Sequence, residues 1–270
     1  MHDTHTTIQR LRRILDVTRQ MAAQTDLDAL LATIIDAARE VLGSERATLF
    51  LYDAGTDELY SRVATGTAGI RFPAAAGIAG AAAQTRQVVN VPDAYADPRF
   101  NRDVDRRTGF RTRNLLTIPL ENLDGALTGV LQVLNKSAGA FDGDDEELAR
   151  TLGAQAGVAL HRATLLEEYA EKQRLARDLD IARSIQQAYL PKANPRVPGW
   201  DIAGWNRSAD ETGGDCYDFI ALPDGRLGLF LADATGHGIG AALVIAQCRS
   251  LLRALLSVSN DLRAVAARVN

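Results

Sequence analysis

Residues 213–243 read GGDCYDFIALPDGRLGLFLADATGHGIGAAL: two apolar runs flank the turn sequence PDGR, each with an aspartate at its outer end, and a glycine-rich loop and a helical pattern follow. Pro-Asp-Gly is turn chemistry, so the two runs fold back on each other as an antiparallel hairpin. Asp215 and Asp233 are about equally far from the turn centre near residue 224, and the pairing therefore brings the two carboxylates out side by side. Adjacent like charges at a sheet end are destabilising without a cation between them. Carboxylates, backbone carbonyls and water are hard oxygen ligands that suit Mg²⁺ or Mn²⁺, ions that bridge protein to phosphate oxygens. Direct nucleotide binding by the glycine loop is a poorer fit. GHGIG has neither the lysine of a P-loop nor a full G-x-G-x-x-G, and an anion at the strand tip repels phosphate. For Asp233 alone the simpler reading is a helix N-cap; the pair, with Gly213 and Gly214 allowing close backbone approach, points to a metal.

Upstream of the hairpin lies a Pro-rich hinge, PKANPRVPGW at 191–200, and a further β pattern, WDIAGWNRSAD. Before it the period is helical from Asp144 to Leu190, with an acidic first turn suited to the helix dipole and Pro191 as a stop. A helix of that length spans about 70 Å, more than one small domain needs. Its first half is expected to pack on the preceding sheet. Its second half, with Leu175, Leu179, Ala182, Ile185 and Tyr189, is expected to connect and to pair with a partner helix, a solvated spacer being the alternative. Further upstream, RATLFLYD, ELYSRVAT, QVVNV, LLTIPLEN and LTGVLQVLNK are short β-rich segments broken by turn residues, which predicts a mainly antiparallel sheet. NRDVDRRTGFRTRN, of mixed charge, reads as a loop or short helix over that sheet. Leu27, Leu30, Leu31, Ile34, Ala38 and Val41 mark a helix that TDLD opens and Gly43 closes, and Ile8, Leu11, Leu15, Thr18 and Ala22 mark a short helix before it.

The chain of 270 residues holds two ordinary domains, and 46% hydrophobic content is enough for a core in each. With a formal charge of −4 and interspersed signs, no nucleic-acid footprint is present. No apolar stretch of about 18 residues and no secretion signal is evident, so the expected location is cytoplasmic, with no membrane partner. Cys216 and Cys248 are too far apart for a C-x-x-C site and read as buried thiols.

GGDCYDF followed by LGLFLADATGHGIGAAL resembles the SpoIIE/RsbU-type branch of the PPM (type 2C) serine/threonine phosphatases, and ARSIQQAYLP at 182–191 resembles the helix those proteins carry before the catalytic domain. The resemblance implies a β-sandwich flanked by helices, a site with two Mn²⁺ or Mg²⁺ ions and a bridging water that attacks phosphorus in line. It makes Asp233 the metal-bridging carboxylate and catalytic residue, Ala234 a metal ligand through its carbonyl, and Asp215 the carboxylate that holds the second ion, directly or through water. His237 follows the bridging aspartate at four positions, where eukaryotic members have a histidine at two, so a plain loop role is as good a reading. Family members draw further metal-binding aspartates from later in the domain, and only residues 195–270 cover it here. Weak metal binding and little or no turnover are therefore expected of this chain.

Residues 25–162 resemble a GAF sensor domain: NKSAGAFDGDDE supplies Asn135, Lys136, Phe141, Asp145 and Glu146 of the motif that cyclic-nucleotide-binding GAF modules carry. Lys136 with Asp145 reads as a structural ion pair that fixes the last strand to the long helix. Residues 1–162 contain no cysteine, which excludes a thioether-linked tetrapyrrole there; a small ligand in the pocket, or none, stays open. The expected architecture is α+β: an N-terminal helix (1–24), the GAF domain (25–162), a connector helix and hinge (163–194), and a partial PPM-type β-sandwich with helices (195–270). The function implied is a dimeric signalling phosphatase acting on a phosphorylated protein, an anti-sigma-factor antagonist in relatives. A non-catalytic sensor and dimerisation module is the alternative. A histidine kinase is disfavoured because QRLARDLDIARS has no histidine to accept phosphate and His161 belongs to the GAF end.

Overall fold

The Asp26 carboxylate accepts a hydrogen bond from Ala29 N at 2.8 Å and caps helix α2 (Leu27–Val41), whose far end closes at Leu42 before Gly43 at φ +58°. Leu27, Leu30, Leu31, Ile34 and Ala38 are buried along one stripe, the spacing that the sequence predicts. The computed structural model describes residues 14–62, 70–207, 213–236 and 238–269. The preceding helix, α1, is described over 14–23, and the expected positions Ile8 and Leu11 lie outside the described residues. Contacts divide the chain into two units, Met1–Tyr169 and Ala170–Asn270.

The first unit is built on a six-stranded antiparallel sheet of β1 (Ser44–Asp53), β2 (Glu58–Tyr60), β3 (Arg71–Pro73), β4 (Val89–Val91), β5 (Leu115–Glu121) and β6 (Leu127–Lys136), in the order β3-β2-β1-β6-β5-β4. Alternation decides what each face buries. Leu49, Leu51, Leu116, Ile118, Leu120, Leu131 and Val133 join α1, α2 and the first turns of α5 (Gly143–Tyr189) in one cluster. Phe50, Leu59 and Val130 turn to the other face, against Ala79, Ala82 and Ala83 of α3 (Gly77–Thr85). The stretch 102–108 is the short helix α4 (Arg102–Thr108), capped by Asn101. Helix α3 and strand β3 are absent from the sequence expectation, because GIAGAAAQT has no polar stripe to give it a period and a three-residue strand gives no alternation.

Helix α5 comes closest to the sheet where it has no side chains. A Cβ on Gly153 would lie 2.6 Å from Ile118 Cγ2, and one on Gly157 would run into the backbone of Glu121. The start of the same helix is tied to β6 by the expected ion pair, as Lys136 Nζ bonds Asp145 Oδ2, which also accepts from Asp142 N at 2.9 Å. Burial opposes the charge on Lys136, but the hydrogen bond and field of Asp145, with Asp142, outweigh it and hold the ammonium above the usual lysine range. Asn135, at φ +60°, accepts from Arg113 N at 2.6 Å and donates to Arg111 O and Glu45 Oε2. Glu146 accepts from Asn90 at 3.1 Å, and Phe141 is buried. All five motif residues are thus used in structure.

In the second unit β7 (Asp215–Ala221) and β8 (Leu227–Asp233) form an antiparallel hairpin, and α6 (Ile239–Leu256) and α7 (Leu262–Val269) follow. Ile220, Leu256 and Val265 make a small core with Phe230, Leu252 and Leu255 packed around it. The other face of the hairpin carries Leu229 and Leu231, both exposed, and among the described residues no second sheet covers it. The β pattern expected at 201–207 is irregular chain; its neighbourhood holds one bridge, Val197 to Trp200, and Gly204 lies flat against the Tyr217 ring. One expectation is corrected here: α6 is long and apolar enough, by length and composition, to cross a membrane, at mean hydropathy 1.6. Two arginines lie within it, and Ala241, Ala242, Ile245 and Leu256 on it are buried.

Candidate functional site

Asp215 pairs directly with Asp233 in the hairpin register, Cα partner to Cα partner, at the end farthest from the turn. The register follows from the turn: Leu222 N bonds Arg226 O at 2.9 Å, and Gly225, at φ +85°, supplies the left-handed residue that it needs. Because side chains alternate, Asp215, Tyr217, Phe219, Leu229, Leu231 and Asp233 share the face turned away from α6, and both carboxylates are exposed. Beyond the strands the chain stays close, with Ala234 N donating to Gly214 O at 3.0 Å. A Cβ on Gly214 would stand 2.7 Å from Ala234 O and 3.3 Å from Gly236 O, so only glycine lets these carbonyls converge beside the carboxylates. The N-cap of α6 is Gly238, without a side-chain cap bond. Asp233 therefore does not serve as that helix's cap.

This donor set is all hard oxygen and suits Mg²⁺ or Mn²⁺ in kind. It is short in number: among the described residues no group of three or more His, Cys, Asp or Glu could hold a metal ion. His237 lies outside the described residues, as do Asp210 and Glu211. The third aspartate of the hairpin, Asp218, takes no part. It faces α6, is buried, and pairs with Arg249 and Arg253.

Gln186 of α5, inside the ARSIQQAYLP stretch, is a residue whose role sequence reasoning did not reach. Its amide closes a two-bond clamp on Gly213, donating from Nε2 to Gly213 O at 2.5 Å and accepting at Oε1 from Gly213 N at 3.1 Å. Gly213 precedes Asp215 by two residues, so the helix fixes the backbone that presents that carboxylate. The family resemblance of ARSIQQAYLP covers this glutamine but names no partner for it, and only the pairing reveals its role.

Cys216, buried beneath the hairpin, has its thiol pushed up by burial, whereas Cys248 is half-buried. At mildly alkaline pH iodoacetamide is expected to modify Cys248 in the native protein and to reach Cys216 only after unfolding. Peptide mapping of both cysteines with time checks this.

The first unit has a cavity of about 460 Å³ between β1, β6, α3 and α4. Phe50, Phe72, Ile78 and Leu115 give it apolar walls, and Arg99, Gln132 and Thr112 give polar points. Asp105, also on the wall, is satisfied within the protein by Thr112 N at 2.7 Å, Thr112 Oγ1 at 2.8 Å and Tyr95 OH at 3.1 Å. A mostly apolar cavity with a few convergent polar groups is the form of a small-molecule site.

The sequence profile of the GAF domain matches residues 26–160, half of the chain. The chain belongs to the GAF family. After the GAF domain, the profile described as Stage II sporulation protein E (SpoIIE) matches residues 223–270, the segment of β8, α6 and α7. A GAF domain of an Acinetobacter phosphoenolpyruvate-protein phosphotransferase superposes with a TM-score of 0.50 at 18% identity, covering 59% of this chain and 98% of that one. Free methionine-R-sulfoxide reductase of Neisseria meningitidis, in complex with its substrate, does so with a TM-score of 0.50 at 23% identity, over 58% and 90%. These likenesses establish the GAF fold. In sequence the chain is 31% identical over 208 residues to a probable 3′,5′-cyclic phosphodiesterase of Caenorhabditis elegans, covering 69% of this chain and 28% of that protein. It is 32% identical over 193 residues to a cGMP-specific 3′,5′-cyclic phosphodiesterase of Drosophila ananassae, covering 63% and 16%. The chain thus spans under a third of these relatives' length.

Proposed function

We propose that the protein is a signal-regulated, metal-dependent protein phosphatase in which the GAF domain senses, α5 transmits, and the hairpin contributes to a centre that removes phosphate from serine or threonine of a partner protein. The observation that carries this reading is the direct pairing of Asp215 with Asp233 beside the Ala234 carbonyl, immediately before and within a segment that matches SpoIIE. Asp233 and Asp215 present a directly paired set of carboxylate oxygens that a divalent ion would bridge, Ala234 offers its carbonyl, and Gly214 leaves the space. Bound Mn²⁺ or Mg²⁺ supplies a water of lowered pKa and neutralises phosphoryl oxygens. The substrate proposed is a phosphorylated anti-sigma-factor antagonist and the site of action the cytoplasm. The GAF cavity takes a small organic ligand, and cGMP, for which the fly relatives are named specific, is the first probe. Because the donor set among the described residues is short, only slow phosphate release from a phosphoserine peptide is expected, at saturating Mn²⁺, and it is lost on Asp233→Asn. Release that persists unchanged in Asp233→Asn contradicts the reading.

A second reading, a sensor and dimerisation module without hydrolysis, is favoured by a different observation. Leu165, Tyr169, Leu175, Ile181 and Ile185 stand exposed along α5, apolar surface that a second copy's helix would cover.

A further inference from the structure

Asp218 is 2% exposed and both its oxygens are taken. Oδ1 accepts from Arg253 Nη1 at 2.9 Å and Phe219 N at 2.8 Å, and Oδ2 from Arg253 Nη1 at 2.8 Å and Arg249 Nη2 at 2.9 Å. A carboxylate engaged in this way has little left for a metal and instead holds two guanidiniums in place. Both line a cleft of about 500 Å³ whose other wall is residues 188–193, the last turn of α5 and the start of the hinge. On that wall Lys192 is exposed and, among the described residues, has no ion pair. Three cations thus face one carboxylate. Arg249 is 9% exposed, and among the described residues its buried Nε–H has no hydrogen-bond partner. The C-terminal end of α5 adds about half a negative charge, which the cations outweigh.

The geometry points to an anion-binding site for a phosphate or phosphomonoester group, held by the N–H forks of Arg253 and Arg249 and the ammonium of Lys192, on the opposite face of the hairpin from Asp215 and Asp233. Planar forks fixed by a buried carboxylate are pre-organised for a tetrahedral dianion. An anion there bridges the end of α5 to α6, so its binding stabilises the docked helix end. Free phosphate and a phosphoserine side chain offer the same group.

The test is calorimetry on the whole chain with divalent ions chelated, using inorganic phosphate, a phosphoserine peptide and its unphosphorylated form. At least one phosphorylated probe is expected to bind and the unphosphorylated peptide not to. Lys192→Gln, which removes a side chain with no hydrogen bond or ion pair among the described residues, is expected to weaken binding about tenfold, the scale of one charged hydrogen bond. Arg253→Lys keeps a cation for Asp218 and loses the fork, with the same expected weakening. Equal affinity for both phosphorylated probes identifies free phosphate as the ligand; a much tighter peptide identifies a phosphoprotein. No binding of either probe to the folded chain, or unchanged affinity in both variants, overturns the site. Because no divalent ion is present, that failure is separate from any failure of the phosphatase reading.

Discussion

Gly157→Val is expected to lower the stability of the GAF domain by about 3 kcal/mol or more, at or beyond the upper end of what overpacking usually costs. The atoms in the way are N, C and O of Glu121, and a strand backbone cannot turn aside as the end of a side chain can. Relief requires α5 to lift from β5, which would open the contacts of Leu152, Ala156 and Leu160 with Ile118 and Leu120 in the main core cluster. Urea unfolding followed by circular dichroism measures this as a large fall in midpoint. Gly143→Ala is the control: its Cβ would meet nothing within 4 Å, so the midpoint is expected to hold or rise. A Gly157→Val protein as stable as the native one would mean that the helix does not seat on the strand at this point.

Asp215→Asn is expected to change the sign of its effect with the metal. Without divalent ions the substitution removes repulsion between directly paired carboxylates, and the melting temperature is expected to rise by about 2–4 °C. With Mn²⁺ in excess the order reverses. The native pair gains the free energy of ion binding, about 2.7 kcal/mol at a hundredfold excess over Kd, and the variant gains much less. Thermal unfolding of both proteins with chelator and with manganese measures the crossover. The same order in both conditions would leave the pair as an exposed strand end with no ion.

What could be read from the sequence follows the strength of its periods. Helix α2 is legible from Asp26 to Gly43 because an N-cap, an apolar stripe and a left-handed closing residue agree. The hairpin register is legible because PDGR fixes a turn centre, and strand pairing then leaves no freedom in which residue faces Asp215. Helix α3 was hidden by its own composition, since a run of alanine and glycine has no amphipathic stripe. WDIAGWN misled for the opposite reason: its aromatic and β-branched residues suit a strand, yet Trp200 and Trp205 are 74% and 80% exposed and no strand pairs with them in the described chain. At the site, Asp218 and Asp215 look alike in GGDCYDF. Only the strand's alternation, and two arginines one turn apart on α6, separate the carboxylate that binds guanidinium from the one left free on the outer face. The Gln186 clamp is out of reach because it joins a side-chain amide to backbone atoms of a glycine 27 residues away, and a glycine's backbone partner leaves no mark in the sequence.

Manganese is paramagnetic and broadens the nuclear resonances of residues near it, so a Mn²⁺ titration of an isotope-labelled sample reports where the ion goes. Amide signals of residues 214–216 and 232–236 are expected to broaden first and together, and to stop doing so in Asp233→Asn. Broadening that starts at another acidic stretch, such as Asp142–Glu147, or that is the same in the variant, would show that no ion belongs between Asp215 and Asp233.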